Sequence, residues 1–588
     1  METIVGIDLG TTNSGVAVIR DGQPIMLQTA DGQPILPSVV GLDNDGQVLV
    51  GQTARNQAIL APERTVKSIK RKMGQDVRVP MGDQTYTPQE ISAIILRRLT
   101  EQAERALGQP VHKAVITVPA FFNETQREAT REAGELAGLE VVRIINEPTA
   151  STLVYEPRRD RHERLLVYDL GGGTFDVSIV QIEQGVIEVL SSHGDTQLGG
   201  DDFDQLLLDF VCDEFQDEYR VDLRQNPRAK SRLLQAVEEA KKRLSFEACT
   251  PLIEEFIAEQ DGRALHLKME LDRREYEELI RPLLDKTVRC VDAALADARL
   301  HAQDIHKIIL VGGSSRTPLV QRLLQEQLGQ QPHFEVDPDL CVALGAAVQG
   351  AMIAGIDVGP VLVDITPHTL GIQCRGPLHG ALSHFLFSSI IDRNTPLPAT
   401  RSEIYYTGVD GQEKAEIHVL QGEDEDARRN QSIGKFMLEG LDETAARGNE
   451  ILVRFDLNLD GILKVTAVER ATGRDRQLTF ENAIQQFRAR DRDDAKAKLA
   501  AMFSETAPAA VAEPDAAVAS ADLVQARATA RELIAKSRGS AAAASPQDAA
   551  EIAELVRQLE AAVAGTAVEA IQDLNARLED VLFYLEDA

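Results

Sequence analysis

Cysteine is scarce and scattered: Cys212, Cys249, Cys290, Cys341 and Cys374 are the only five in 588 residues, and no two form a CxxC pair. Zinc ribbons and disulfide frameworks need paired thiols, so both are disfavoured and a reducing, cytoplasmic setting is the natural expectation. Each of the five reads as a small buried apolar residue. No run of 18 or more apolar residues occurs, which excludes a membrane-spanning helix. Residues 1–6 carry no basic n-region and lead into no long apolar stretch, so no secretory signal is expected. Positive charge is short as well. The chain has 62 Lys and Arg against 93 Asp and Glu, a net charge of -31. Nucleic acid and anionic membranes would be repelled, and neither is expected as a partner. Missing too is any GxxxxGKS/T sequence, which disfavours a P-loop ATPase.

What is present suits a multidomain globular protein. A chain of 588 residues exceeds one hydrophobic core, and 43% hydrophobic with 26% charged residues is ordinary for a soluble protein. Up to about residue 359, β-branched strands at 4–8, 114–118, 165–169 and 307–311 alternate with helical patterns at 88–107, 124–137 and 231–245, an α/β signature. From 366 to about 481 the chain reads as short strands with turn signals at Asp410-Gly411 and Asp460-Gly461, an antiparallel β domain. Beyond 482 it turns helical and rich in Ala, Glu and Arg. Residues 506–520, with Pro508 and Pro514, read as a mobile hinge. Ile552, Leu555, Val556, Leu559 and Val563 line one helix face, and Val568, Ile571, Leu574, Leu578, Val581, Leu582 and Leu585 another. Together they suggest a small antiparallel bundle.

The sharpest feature is an internal repeat. Asp8-Leu9-Gly10-Thr11-Thr12 ends the first strand, and Asp169-Leu170-Gly171-Gly172-Gly173-Thr174 ends a later one; each leads into a returning strand. Glycine turns let backbone N–H groups approach phosphate oxygens, and the Thr hydroxyls add donors. Asp8 and Asp169 at the strand ends suit a hydrated Mg²⁺. One such turn is a common strand end, but two in register are harder to dismiss. A third turn, Gly312-Gly313-Ser314-Ser315-Arg316, fits an adenine or ribose contact, or equally an ordinary strand–helix turn.

These segments, with 144–150 (IINEPTA), 198–204 (LGGDDFD), 311–318 and His418-Val419-Leu420-Gln421-Gly422 in the β domain, resemble the signature words of the heat-shock protein 70 family of DnaK-type chaperones. The resemblance runs to about residue 482. It implies a multidomain fold: an α/β actin-like (duplicated ribonuclease H-like) ATPase over 1–359, a linker over 360–365, an antiparallel β-sandwich over 366–482 that binds peptides, and a short α-helical lid over 483–588. It implies an ATP-dependent chaperone that assists folding, its hydrolysis controlling affinity for exposed hydrophobic segments. ATP or ADP and Mg²⁺ would be its cofactors, with K⁺ a further candidate. Client polypeptides, a J-domain co-chaperone and a nucleotide-exchange factor would be its partners.

Site roles follow from the same resemblance. Gly10, Thr11, Thr12 and Asn13 with Gly171, Gly172, Gly173 and Thr174 would cradle the phosphates. Asp8 and Asp169 would position Mg²⁺ through water, with Asp176 nearby. Lys70 and Glu147 would act on the γ-phosphate and attacking water, so that catalysis is mostly positioning and charge stabilisation. Gly199, Gly200 and Asp201, Glu238, Lys241 and Ser245, and Gly312, Gly313, Ser314, Arg316 and Asp339 would complete the nucleotide site. Coupling would run through Pro119, Arg127, Arg143 and the linker residues Val361, Leu362, Val363 and Asp364. The client cleft would involve Ile372, Cys374, Tyr405, Thr407, Ala415 and Ile417. Read alone, Lys70 is a solvated lysine, Glu238 and Lys241 an exposed helical pair, and Tyr405 and Ile417 core residues.

Several positions depart from the family pattern. Ala415 is small for a pocket floor, Arg375 and Gly408 occupy the arch positions, and 376–388 reads as an inserted loop near the cleft. The linker starts at Pro360 without a leucine-rich run, and 73–87 is short. Client choice is the property these changes bear on, including a dedicated role such as iron–sulfur cluster assembly. A weakly hydrolysing holdase and a sugar or acetate kinase on the same ATPase fold are the alternatives. ATP-coupled peptide release separates the first from a chaperone, and a phosphotransfer assay the second.

Overall fold

The computed structural model of the chain describes residues 3–155, 162–333, 336–356, 358, 360–442, 448–470, 475–479, 495, 497, 499, 502, 530, 537, 553, 555–559, 574, 577 and 578. The chain divides into two compact units, 1–505 and 506–588. The hinge at 506–520 and most of the two helix faces expected after it lie outside the described residues; Leu555, Leu559 and Leu578 are buried.

Each copy of the repeat builds the same substructure. Strands β1 (Ile4–Asp8) and β2 (Asn13–Arg20) form an antiparallel hairpin, and β1 runs parallel to β3 (Lys113–Val118), which is parallel to β4 (Glu140–Asn146). Strands β5 (Glu163–Leu170) and β6 (Phe175–Glu183) form the second hairpin, with β5 parallel to β8 (Lys307–Val311) and β6 antiparallel to β7 (Val186–Asp195). In both, the Asp stands at the hairpin mouth: Asp8 faces Gly15 and Asp169 faces Asp176. Because parallel pairs need crossovers, helices cover the sheets and the strands are apolar on both faces. Val5, Ile7, Val115 and Ile116 are wholly buried, as are Leu165, Leu166 and Val167.

Two helices join the lobes, α1 (Glu147–Val154), which follows β4, and α2 (Cys341–Ile353). Small residues permit the close crossing. A Cβ on Gly345 would lie 1.8 Å from the Ala150 carbonyl oxygen, and one on Gly6 2.0 Å from the Ala347 nitrogen.

The segment expected as a linker is a strand. Residues Val361–Val363 form β9 and extend the second-lobe sheet, pairing parallel with Val186, Ile187 and Glu188 of β7. The β domain follows as two four-stranded antiparallel sheets packed on one apolar core. One has β10 (Leu370–Leu378), β11 (Ala381–Ile391), β13 (Lys414–Gln421) and β14 (Gln431–Glu439); the other has β12 (Ala399–Tyr406), β15 (Glu450–Leu457), β16 (Leu463–Glu469) and β17 (Asp475–Thr479). The insertion at 376–388 differs from expectation. It is no loop: β10 and β11 continue their ladder to Leu378 and Ala381, and the turn is His379-Gly380. Both turn residues have positive φ, 51° and 82°, which matches the twist of a tight hairpin. Ala495 and Leu499, expected in the lid, are buried in the first lobe's apolar cluster, with Met502 against it.

Candidate functional site

The two glycine turns face each other at contact distance. A Cβ on Gly172 would lie 1.9 Å from Thr12 Oγ1, and one on Gly173 2.7 Å from Thr11 Cγ2. Between and behind them opens a cavity of about 1040 Å³. It is lined by Asp8, Gly10, Thr11, Thr12 and Asn13 from the first hairpin and by Asp169, Gly171, Gly172 and Thr174 from the second. Lys70, Glu147, Asp201, Glu238, Lys241 and Ser245 also line it, as do Gly312, Gly313, Ser314, Arg316 and Asp339. Sequence positions more than 300 residues apart thus converge on one cleft.

Gly173, Gly199, Gly200 and Asp176 do not line the cavity. The three glycines are closely packed: a Cβ would meet Arg71 Cγ at 2.8 Å from Gly173, the Gly172 backbone at 2.5 Å from Gly199, and Ser314 Oγ at 2.4 Å from Gly200. Asp176 is buried behind the site, accepting a 2.8 Å hydrogen bond from the Phe121 N–H.

Charge is concentrated at the inner end. Lys70 and Glu147 are both buried, and the ammonium bonds the Glu147 carboxylate directly. Around them stand Asp8, Asp169 and Asp176. Burial, then the charge of Glu147, pushes the Asp8 carboxyl up to about 7 and that of Asp176 up to about 8, and moves Asp169 in the same direction. Thr117 Oγ1 donates to Asp8 at 2.9 Å. Carboxylates crowded this way gain from a cation among them. Among the described residues no three His, Cys, Asp or Glu side chains converge as direct metal ligands. Thr12 Oγ1 is buried without a hydrogen-bond partner; a phosphate oxygen would satisfy it.

At the outer end polar side chains are fixed by ion pairs. Arg55 reaches across to Glu238 at 2.8 Å, Lys241 bonds Asp204 at 2.8 Å and the Gly200 carbonyl at 3.1 Å, and Arg316 bonds Asp337 and Asp339 at 2.7 and 2.9 Å. Arg55, Asp204 and Phe246 are among the lining residues that escaped the sequence reading. Asp204 lay inside a signature segment but was assigned no role; burial pushes its carboxyl up to about 6 despite Lys241. Phe246 is 78% exposed and lines the cavity beside Ser245. A large apolar residue ending a polar helix was the available signal.

In the β domain the expected client residues separate into two sets. Ile372 and Ile417 are buried in the sandwich core, and Tyr405 and Ala415 pack half-buried against it, with Tyr405 Oη bonded to Ser388 at 3.0 Å. Thr407 is buried and its hydroxyl accepts from the Gly448 and Asn449 N–H groups. Cys374 is a half-buried free thiol.

The β domain packs on the first 359 residues through polar contacts. Asp460 receives Arg131 at 2.6 Å and Arg143 at 3.1 Å. The Leu463 N–H bonds Glu124 at 2.9 Å, whose carboxyl burial pushes up to about 8. Arg393 and Asn394 reach Asp297 at 2.8 and 3.0 Å. Asp364, directly after β9, accepts from Asn146 Nδ2 at 2.9 Å. Arg127 bonds Asn146, the Phe122 carbonyl and the Ala120 carbonyl, while Pro119 accepts from the Phe122 N–H. Arg131, Asp460, Glu124, Arg393 and Asp297 were not singled out from the sequence, because each is an unremarkable surface charge until its partner is known.

Comparison with known proteins agrees across the length of the chain. The profile of the Hsp70 protein family matches residues 4–586. The chaperone protein DnaK of Thermotoga petrophila is 48% identical over 484 residues, covering 81% of this chain and 80% of its own. The chaperone proteins DnaK of Thermotoga maritima and Thermotoga neapolitana match with the same identity and coverage.

Proposed function

Because the chain belongs to the heat-shock protein 70 family, we propose that the cleft between its glycine hairpins hydrolyses ATP and that the docked β domain senses the outcome. The protein is an ATP-dependent molecular chaperone that assists protein folding, and its family binds ATP or ADP with Mg²⁺. Membership implies an actin-like ATPase, a β-sandwich and a helical lid, which we assign to 1–359, 366–482 and 483–588 with a linker at 360–365. We assign the phosphates to Thr11, Thr12, Asn13, Gly171, Gly172 and Thr174. The adenosine goes to Glu238, Lys241, Ser245, Gly313, Ser314 and Arg316. Asp8 and Asp169 would hold hydrated Mg²⁺, which neutralises phosphate charge. Lys70 and Glu147 orient the attacking water.

The carrying observation is an unbroken connection from linker to catalytic pair. Asp364 bonds Asn146, the next residue is Glu147, and Glu147 bonds Lys70. A linker strand sequestered in one state and released in the other gives a two-state element that both sites bias. Client segments occupy the β-sandwich beside Cys374, Tyr405 and Ala415; a J-domain co-chaperone and an exchange factor set the cycle in the cytoplasm. The test is the dissociation rate of a fluorescent hydrophobic peptide before and after ATP. Release accelerated at least tenfold, and no longer so when Val361 and Leu362 are made polar, supports the reading; release indifferent to ATP overturns it in favour of a holdase.

Two further outcomes follow. Phe246 offers an aromatic face at the adenosine end, where stacking on a base is worth about 1–3 kcal/mol. Phe246→Ala is expected to weaken MgADP binding about fivefold to a hundredfold by that measure, with peptide affinity unchanged, as titration would read. His368 gives docking a pH dependence. Its Nε2–H donates to the Phe121 carbonyl at 3.1 Å, and burial pushes the ring down to about 4 from 6.5. Arg127 and His193 act in the same direction, and Glu423 against it. The neutral ring's contribution to docking is complete above 6.5 and is lost as pH falls toward 4. From pH 7.5 to 5.5 it should fall by about tenfold. Glu124, with its raised carboxyl, titrates with opposite sign. The readout is therefore the difference between wild type and His368→Leu in docking, followed by fluorescence transfer between the domains.

A further inference from the structure

The β10–β11 hairpin has a face and an edge that are largely uncovered among the described residues. Between Leu370 and Ile391 the chain carries no Asp, Glu or Lys, in a protein of net charge -31. Cys374 faces Leu386 and Gly376 faces Ser383, so β11 holds one extra residue opposite Arg375. That bulge reverses the alternation. Leu382, His384 and Phe385 consequently share the outer face with Arg375 and Pro377, while Ile372 and Cys374 face the opposite way. Leu382 is 67% exposed and Phe385 40%. The Arg428 guanidinium lies 4.6 Å from the Phe385 ring centroid and fixes it from one side. β11 is the terminal strand of its sheet. The segment at 425–426 covers its free edge at Leu386 and Phe387. Along 381–385 no strand lies beside it among the described residues.

Long apolar edges without charge are aggregation sites unless something covers them. We propose that this edge is a second client-contact surface, taking an extended polypeptide segment by strand addition with apolar side chains against Leu382 and Phe385. The proposal rests on the client reading above, because the hairpin that carries this edge also carries Cys374, one of the residues assigned there. Strand addition supplies main-chain hydrogen bonds, and alternate side chains supply selectivity. Arg375, with no carboxylate on the hairpin, favours neutral or acidic segments. A second copy of this chain is disfavoured as occupant, since it would bring -31 against -31.

The test uses the full chain and two labelled peptides, a seven-residue apolar core and the same core extended to sixteen residues with Leu and Asp. Wild type should bind the longer peptide at least about tenfold more tightly, because the second contact is made within one chain at high effective concentration. In L382S/F385S that advantage should vanish while the short peptide binds as before. Leu382→Asp, at a position too exposed to disturb folding, should remove most of it. A long-peptide advantage that survives both variants overturns the proposal, as does equal loss of both peptides, which would make the hairpin a mere support for the cleft. A wild-type dimer that the variants dissociate in sedimentation overturns it in favour of a contact between copies. Wild type that hydrolyses ATP but binds neither peptide defeats the client reading itself, and this inference with it.

Discussion

Replacing Lys70 by Ala should reduce ATP turnover by about 100- to 1,000-fold, the usual loss when one preorganised charge is removed from a transition state, while MgADP binding stays within a few-fold of wild type. The separation follows from placement. Lys70 is buried, and its ammonium is shared with Glu147 at the inner end of the cleft. The groups assigned to the phosphates and adenosine come from other elements and keep their own anchors: Ser38 Oγ on the Gly10 carbonyl at 2.8 Å, Asp201 N on the Gly172 carbonyl at 2.7 Å, and Arg316 on Asp339 at 2.9 Å. Turnover needs more than these. Developing charge on the transferred phosphoryl must meet a fixed cation, and Glu147, in the role proposed for it, must be held to orient water. Losing the ammonium also leaves Glu147 uncompensated beside Asp8, Asp169 and Asp176, whose carboxyls burial already pushes upward. Single-turnover hydrolysis and a nucleotide titration on the same preparation separate the two effects. Undiminished hydrolysis would remove Lys70 from the catalytic role, and lost binding would make it a structural post.

The parts of this site legible in the sequence are those carried by short segments. A strand ending in Asp, a glycine turn with Thr and a returning strand is a local pattern, so both hairpins and their Asp residues stand where the repeat placed them. The strands at 4–8 and 307–311 and the helix at 88–107 match to the residue, since apolar period and flanking turns fix them. The Thr87 cap and Glu90 close a capping box at that helix start. What local pattern hides is register and partnership. The segment 376–388 carries Gly376, Pro377 and Gly380, which read as loop, yet cross-strand pairing holds it as a ladder. Gly173, Gly199 and Gly200 read as part of the nucleotide site, and the sequence does not show how tightly they pack: a Cβ would meet Arg71 from Gly173, the Gly172 backbone from Gly199 and Ser314 from Gly200. Asp460 reads as one residue of an Asp-Gly turn. Only the fold brings it to Arg131 and Arg143, more than 300 positions earlier.

That last contact carries the second large effect. In Asp460→Ala, ATP-triggered peptide release should slow at least tenfold, with basal ATPase and nucleotide-free peptide affinity close to wild type. Asp460 is a single carboxylate shared by two guanidiniums, partly shielded from solvent, and it also accepts from the Ile144 N–H at 3.3 Å. Strand β4 therefore feels Asp460 two residues before Asn146 and three before Glu147. Removing it leaves Arg131 and Arg143 facing each other without their counter-charge. Breaking one partner of such a shielded pair costs about 3–5 kcal/mol in the limit of full burial, and less here. A loss of about 1.4 kcal/mol in the docked state is already tenfold in its population. Asn at 460 would keep one acceptor and should fall between the two. Reversing the charges tests the contact itself: Asp460→Arg alone should uncouple, and adding Arg131→Asp and Arg143→Asp should recover part of the ATP response. Coupling unchanged in Asp460→Ala would mean that the strand contact of Val361–Val363 with β7 and the Asp364–Asn146 bond suffice to transmit the nucleotide state.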